Sequence, residues 1–120
     1  MWPDQFYVFQ GSTPRLEIVL PLEIDAASDI VYATMDQMDQ SVLEYRINGT
    51  NRSGMVVPAG AMAVDETDAD TIIIQMAQED TLRLIPGEVL LQIRVKTSDG
   101  ADTLIPIPGY VGKAQKPGTI

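Results

Sequence analysis

The chain has 120 residues, of which 45% are hydrophobic, enough for one domain with a sizeable core. It contains no cysteine and no histidine, which excludes disulfides, thiolate metal sites and the Ser-His-Asp and Cys-His nucleophile systems. Its 8 basic and 17 acidic residues give a net charge of −9, and such a surface repels phosphate and anionic lipid, so nucleic-acid and membrane partners are disfavoured.

The two ends of the chain carry no structural or targeting signal. The first residues, MWPDQFYVFQG, have neither the basic segment nor the apolar run of a signal peptide, and no stretch approaches the ~18 apolar residues of a membrane span. Gly and Pro breakers with two lysines predict a flexible tail at residues 112–120, after a domain that spans residues 1–111. The chain is expected to be soluble and made in the cytoplasm.

Apolar and polar residues alternate in the first half of the chain, which predicts strands. Four strands are expected there, at residues 6–10, 15–22, 30–36 and 41–47. The clearest is the second, in which Leu16, Ile18 and Leu20 share one face. The third and fourth have the pattern of a hairpin around residues 37–40.

The middle of the chain is weakly specified. A short strand at residues 55–57, stopped by Pro58, is expected there, and residues 59–70 carry no clear pattern. Residues 71–76, TIIIQM, are the most β-prone segment of the protein. The next six residues lack alternation and predict one helical turn before Pro86.

A hairpin within residues 82–107 has the strongest pattern. Its first strand, residues 88–97, places four apolar side chains on one face, those of Val89, Leu91, Ile93 and Val95. A two-residue loop would pair Val95 with Leu104, whereas a three-residue loop with a left-handed Gly100 pairs Val95 with Thr103. The second register is favoured because it keeps the apolar residues of both strands on one face.

Two prolines lie in the returning strand of this hairpin. In either register the missing N–H groups of Pro106 and Pro108 would point away from the preceding strand. The returning strand is therefore expected at the edge of its sheet, where a missing donor is tolerated.

The elements together predict an all-β fold. Seven or eight short strands separated by turn signals indicate an antiparallel, immunoglobulin-like β-sandwich, and a small barrel is the alternative. The helical turn before the final hairpin fits the crossover that carries the chain from one sheet to the other.

The densest group of acidic residues lies in the loop at residues 65–70. Its members are Asp65, Glu66, Asp68 and Asp70. Alternating carboxylates can hold calcium, but the loop lacks the Asp-x-Asp-x-Asp-Gly register of a calcium loop, so a solvated acidic loop is favoured. No pair of carboxylates stands out for glycoside hydrolysis.

Four aromatic residues are candidates for stacking on a sugar or for lining an interface. Tyr32 and Tyr45 are expected in the core or on a sheet face, Tyr7 lies in the first strand, and Trp2 precedes it as a candidate contact residue. The 6 methionines are read first as core fillers and then as interface residues. Asn48 and Asn51 begin glycosylation sequons, which matter only in a secreted eukaryotic chain.

The order of several motifs resembles a family. The motifs are Gly-x-Thr at residues 11–13, a middle strand ending near residues 36–37, QEDTL at residues 78–82, Pro-Gly at residues 86–87 and LQIRV at residues 91–95. Over most of residues 5–108 the chain resembles small prophage-encoded structural proteins of Gram-positive bacteria, and it is similar to the N-terminal domain of upper baseplate proteins. It departs from them in its proline-rich last strand and in lacking their long C-terminal extension.

The resemblance implies a non-catalytic immunoglobulin-like module, tail or baseplate associated, in the bacterial host cytoplasm during assembly or in the virion. Its partners would be other phage structural subunits or a second copy of itself, with no cofactor, metal, nucleic acid or membrane. Strand order places the contacts at residues 6–10, in the loop at residues 48–53 or on a sheet face. The alternatives are a carbohydrate- or ligand-binding β-sandwich module at a cell surface and, third, a small hydrolase that uses carboxylates.

Overall fold

The computed structural model describes residues 5–50 and 57–113. Within these ranges two sheets pack face to face, with strand orders β1-β8-β7-β3-β4 and β2-β6-β5. The elements are β1 (Phe6–Phe9), β2 (Arg15–Val19), β3 (Ile30–Gln37), β4 (Gln40–Ile47), β5 (Ala61–Val64), β6 (Thr71–Gln75), α1 (Gln78–Leu82), β7 (Gly87–Lys96) and β8 (Asp102–Gly112). The predicted all-β sandwich of seven to eight strands is confirmed.

The core lies between the inward faces of the two sheets. Alternate residues of β7 face it, and Val89, Leu91, Ile93 and Val95 are all buried, as their spacing predicts. Ile72 and Ile74 of β6 meet them from the three-stranded sheet. Each such side chain contributes about 1.5–3 kcal/mol by leaving water, so this layer is what holds the sheets together.

The final hairpin has the favoured register. Val95 pairs with Thr103, Ile93 with Ile105, and the three-residue loop contains Gly100 with a φ of 95°. This positive φ is easy for glycine, which lacks the Cβ that would clash. The prediction of a three-residue loop is therefore confirmed.

The prediction that the returning strand is a sheet edge is wrong. β8 lies between β7 and β1, and β1 pairs with it in parallel, Phe6 opposite Gly109 and Phe9 opposite Gly112. The ring of Phe6 occupies the space that a Cβ at position 109 would need. Glycine has no Cβ, so Gly109 allows β1 to pack beside β8. β1 reaches only the second half of β8, and Pro106 lies in the first half, where no described strand requires its N–H.

The hairpin of β3 and β4 is also confirmed. Its two-residue turn, Met38-Asp39, has φ values of 52° and 61°, the left-handed pair of a type I′ turn. The predicted strand at residues 55–57 lies almost wholly outside the described residues, and Val57, which is described, is not in a strand. β5, by contrast, was not predicted, because two of its four residues are alanines.

The crossover from β6 to β7 contains the predicted helical turn, α1, with a buried carboxylate. Asp80 is fully buried and accepts hydrogen bonds from the Tyr45 hydroxyl at 2.7 Å and from the backbone N–H groups of Ala59, Gly60 and Ala77 at 2.8, 2.9 and 3.1 Å. Burial alone would raise the pKa of Asp80, but these hydrogen bonds stabilise the carboxylate and hold its pKa below the ordinary value. Burial and the neighbouring carboxylate raise the pKa of Tyr45.

The same crossover is tied to the beginning of the chain. The Thr81 hydroxyl donates to the Ser12 carbonyl at 2.8 Å, and the Gln10 side-chain amide donates to the Leu84 carbonyl at 2.8 Å. The Gly-x-Thr motif and the QEDTL motif are thus in direct contact in the fold.

Candidate functional site

The acidic loop forms the connection between β5 and β6. The Asp65 carboxylate accepts a hydrogen bond from the Asp68 N–H at 3.1 Å, and most of the loop is exposed. Among residues 5–50 and 57–113, no group of three or more acidic side chains is placed to hold a metal ion.

The four aromatic candidates lie in different parts of the structure. Tyr45 is buried in the core and Tyr32 lies on the outward face of the five-stranded sheet, as predicted. Tyr7 is 61% exposed and its ring lies 6.1 Å from that of Tyr110, centroid to centroid. Trp2 lies outside the described residues.

The loop candidate at residues 48–53 is described only in part, because residues 51–53, with the second sequon, lie outside the described ranges. The Asn48 side-chain amide donates to the Ala26 and Asp29 carbonyls at 2.6 and 2.9 Å. A glycan on this nitrogen would disrupt both hydrogen bonds, so Asn48 is better explained as a residue that fixes the loop. Its φ of 60° is one that asparagine tolerates.

The outward face of the five-stranded sheet carries a continuous set of apolar side chains, which we call the apolar row. Its members are Leu104, Pro106, Pro108 and Tyr110 of β8 and Tyr7 and Phe9 of β1. Leu104 is 49% exposed, and Tyr110 and Phe9 are each 47% exposed. The row brings the predicted contact strand, residues 6–10, together with the strand that was predicted to be an edge.

A polar groove of about 300 Å³ lies beside this row on the same face. It is lined by Tyr32, Thr34, Asp36, Ser41, Gln92, Arg94, Lys96 and Leu104. The Asp36 carboxylate accepts hydrogen bonds from Gln92 at 2.7 Å and from Ser41 at 2.8 Å, which fixes one wall. Arg94, on the other side, lies 3.6 Å from the Asp102 carboxylate in an exposed ion pair.

A second, shallower depression of about 560 Å³ continues the groove toward the turn of the first hairpin. It is bounded by Met38 and Asp39 of that turn, by Glu88 and Leu90 of β7 and by Pro108 of β8. The groove, the depression and the apolar row form one surface across β1, β8, β7, β3 and the end of β4. We call this surface the outward face.

The sequence contained a signal for this surface. In residues 104–110 both alternating sets are largely apolar, since Ile105 and Ile107 face the core while Leu104, Pro108 and Tyr110 face outward. A strand with one face in water alternates between apolar and polar residues. A strand with apolar residues on both faces is either covered on both faces or exposes apolar surface to water. The two prolines in the same strand are instead typical of an edge strand.

Comparisons with known proteins bear on the fold. The sequence matches no protein-family model and no curated protein. Among solved structures, CopC from Methylosinus trichosporium OB3b is similar with a TM-score of 0.54 at 12% identity, over 95% of this chain and 89% of that chain. Murine CRIg is similar with a TM-score of 0.49 at 10% identity, over 96% of each chain.

The likeness to CopC, together with the strand order, confirms the predicted immunoglobulin-like β-sandwich and shows the fold alone. In the described part of the chain no helix has the length and apolar character needed to cross a membrane.

Proposed function

We propose that the chain is a non-catalytic interaction module that binds other protein subunits through its outward face, as a tail- or baseplate-associated component of a phage or prophage particle. The observation that carries the binding proposal is the apolar row, with Tyr7, Phe9, Leu104 and Tyr110 about half exposed or more. The assignment to a phage particle is supported by the order of sequence motifs.

The physical argument concerns the free-energy cost of apolar surface that is exposed to water. Single exposed apolar residues are ordinary, but a contiguous row rimmed by polar groups is typical of a surface that is covered in use. Tyrosine is enriched among the residues that dominate binding energy, because it buries a large ring at a small cost in side-chain entropy. Tyr7 and Tyr110, already in contact, supply such a pair.

The scaffold beneath this surface suits a particle component. The core is largely aliphatic, and Asp80 fixes the crossover. Two of the motifs that carry the resemblance, Gly-x-Thr and QEDTL, are joined by the hydrogen bond from the Thr81 hydroxyl to the Ser12 carbonyl. A rigid face presented without a cofactor loses little conformational entropy on binding.

The test is co-expression of the tagged chain with the products of the genes that flank its own. We expect a tail or baseplate protein to co-purify with the wild type, and the double variant Tyr7→Ser/Tyr110→Ser to lose at least tenfold in affinity. Val19→Ser is the matched control, because Val19 is an exposed apolar residue on the other sheet. A complex that survives the double variant, or the absence of any complex, would contradict the proposal.

A second candidate function is the binding of a carbohydrate or small ligand in the polar groove. The observation in its favour is the aromatic ring of Tyr32 beside the fixed amide of Gln92 and the carboxylate of Asp36. Glycan-array screening followed by calorimetry tests it, with Gln92→Ala expected to lower the affinity about tenfold. This candidate fails if no glycan binds, or if the affinity is the same for wild type and variant.

A further inference from the structure

We propose that the outward face binds a second copy of this chain, sheet to sheet, about a twofold axis that crosses the strands at the middle of β7. The inference rests on the proposed function for the use of this face. It goes further in naming the partner and its orientation.

The first argument is that charge is segregated along the outward face. Glu88 lies at the first end of β7, together with Asp36 of β3 and Asp39 of the adjacent turn, and this group is the acidic end. Arg94 and Lys96 lie at the other end of β7, the basic end.

The neighbouring strands carry charges of both signs near this end. Arg46 of β4 is level with Arg94, but Glu44, two residues before it, lies on the same side of the sheet and is buried. Asp102 lies at the same end and neutralises part of it through Arg94. Within the described residues, neither Lys96 nor Glu88 has an ion-pair partner.

The second argument is that one rotation pairs the opposite charges of β7 and also stacks the apolar residues at the middle of β8. A twofold axis that lies in the interface and runs across the strands reverses the strand direction, so the basic end of each copy covers the acidic end of the other. With the axis at Gln92, midway along β7, Glu88 of each copy faces Lys96 of the other. The same rotation keeps β8 over β8, so Leu104 of each copy faces Pro108 of the other and Tyr110 faces Asp102. β1, which pairs only with residues 109–112 of β8, has no β1 opposite it in the second copy.

The alternative twofold axis does not have these properties. An axis parallel to the strands preserves their direction and would set basic end against basic end. It would also carry β1, with its exposed aromatic rings, over β4 of the other copy. Like charges placed opposite each other disfavour such a complex, so the face selects the first arrangement.

The third argument is the size of the face. β1, β8, β7 and β3 comprise 33 residues, and at about 4.8 Å by about 3.4 Å for each residue they give roughly 540 Å² of flat area per copy. Most of β4 is left out, because Glu44 on its outward side is buried within the chain. A standard specific interface buries about 800 Å² per partner, with a lower limit near 600 Å². The flat area of the outward face is therefore close to the lower limit for a specific dimer.

The centre of the face is preorganised. Pro106 lies opposite Gln92 and so lies at the axis, where it meets the same residue of the second copy. A proline ring has few conformations to lose and no N–H to desolvate, so its burial costs little conformational entropy. Pro108 extends the same rigid surface toward Tyr110.

The experiment is sedimentation equilibrium of the full chain from about 1 µM to about 1 mM, with charge-reversed variants. We expect the wild type to form dimers, and Glu88→Lys and Lys96→Glu each to raise the dissociation constant at least tenfold. An equimolar mixture of the two variants should dimerise again, because every Glu88→Lys position then faces a Lys96→Glu position. Glu17→Lys, at an exposed position on the other sheet, is the control that should leave dimerisation unchanged.

The mixture separates a contact between copies from an effect within one copy. Residues 88 and 96 are on the same strand about 27 Å apart, so their side chains cannot meet in one chain. Both are exposed, and we expect both variants to unfold at the wild-type temperature when all three proteins are diluted until they are monomeric. A wild type that stays monomeric over the whole range, or a mixture that stays monomeric, would overturn the inference.

The two proposals fail separately. If the chain is monomeric but loses a flanking-gene partner on Tyr7→Ser/Tyr110→Ser, the inference is wrong and the proposed function stands. If the charge-reversed mixture restores the dimer and no other subunit binds, the inference stands and the heterologous partner is excluded.

Discussion

Two regions of this molecule reverse the usual distribution of polar and apolar groups, and they do so in opposite ways. At the crossover, α1 places the carboxylate of Asp80 in the interior. On the outward face, β8 and β1 place the apolar side chains of Leu104, Tyr110 and Tyr7 in water. Each arrangement is costly by itself, since a buried charge loses hydration and an exposed apolar group orders water.

The two regions differ in where the compensation comes from. Asp80 receives four hydrogen bonds from within the chain, and these bring together β4, the segment before β5 and the start of α1. The apolar row is covered by none of the residues in the described ranges. A buried polar group that is satisfied internally stabilises the fold, whereas an apolar group left uncovered is best explained by a partner.

The largest effect should come from removing the internal compensation. We expect Asp80→Ala to lower the free energy of unfolding by about 3–5 kcal/mol, because each buried donor left without an acceptor costs about 1–3 kcal/mol. Urea unfolding followed by circular dichroism measures it. Glu79→Ala, at the exposed neighbouring position, should change stability by less than about 0.5 kcal/mol. Equal effects for the two variants would show that the carboxylate does not organise the crossover.

The pH dependence sharpens the same point. The folded pKa of Asp80 is lower than its ordinary value, so its stabilising contribution is complete above the unfolded pKa and is lost as the pH falls through the folded pKa. We therefore expect the stability difference between wild type and Asp80→Asn to narrow from about pH 6 to about pH 2.

The other lowered carboxyl groups do not affect this difference. A hydrogen bond from the Ala27 N–H lowers the pKa of Asp25, and one from the Thr97 hydroxyl lowers the pKa of Asp99. Both hydrogen bonds are present in the wild type and in Asp80→Asn, so their contributions cancel in the difference. Unfolding curves at a series of pH values test the prediction, and a difference that stays constant would contradict it.

A smaller effect is expected at the contact between β1 and β8. A Cβ on Gly109 would overlap the ring of Phe6, so Gly109→Ala should cost about 1–3 kcal/mol and increase amide exchange in β1. In a background of Phe6→Ala the same change should cost almost nothing, because the ring is gone. If the two changes are additive, the ring does not depend on the glycine for its space.

The smallest effect is predicted for the outward face itself. Leu104→Ser should change the free energy of unfolding by less than about 0.5 kcal/mol, since Leu104 is 49% exposed. Ile105→Ser, one residue along and 3% exposed, should cost about 3 kcal/mol or more. Thermal unfolding of the two variants makes the comparison, and similar losses for both would mean that the apolar row is buried within the chain.

The sequence predicted the parts of the fold that depend on which residues of a strand form its apolar face. The register of the final hairpin followed because a one-residue slip would move Ile93 and Ile105 to opposite faces. The first hairpin and the helical turn followed from turn residues and from lost alternation. β5 was not predicted, because its alternation consists of alanines with one buried methionine, Met62.

The features that depend on distant pairing could not be predicted in this way. The parallel contact of β1 with β8 joins the two ends of the described chain, and the prolines in β8 suggested an edge that exists only along its first half. The burial of Asp80 depends on Tyr45, and nothing in the spacing of the two residues indicates their contact. Residues 6–10 and a sheet face were among the predicted contact sites, and whether they bind a partner stays a prediction.

The pairing of β1 with β8 also sets an order of events during translation. β1 leaves the ribosome before every other described strand, yet Gly109, the residue opposite Phe6, is made after nearly all the rest. The nascent chain therefore carries Tyr7 and Phe9 without a neighbouring strand until synthesis of β8 is complete. We expect docking of the first strand to be the closing step of maturation, and ribosome-bound chains that stop before Gly109 to expose it to protease.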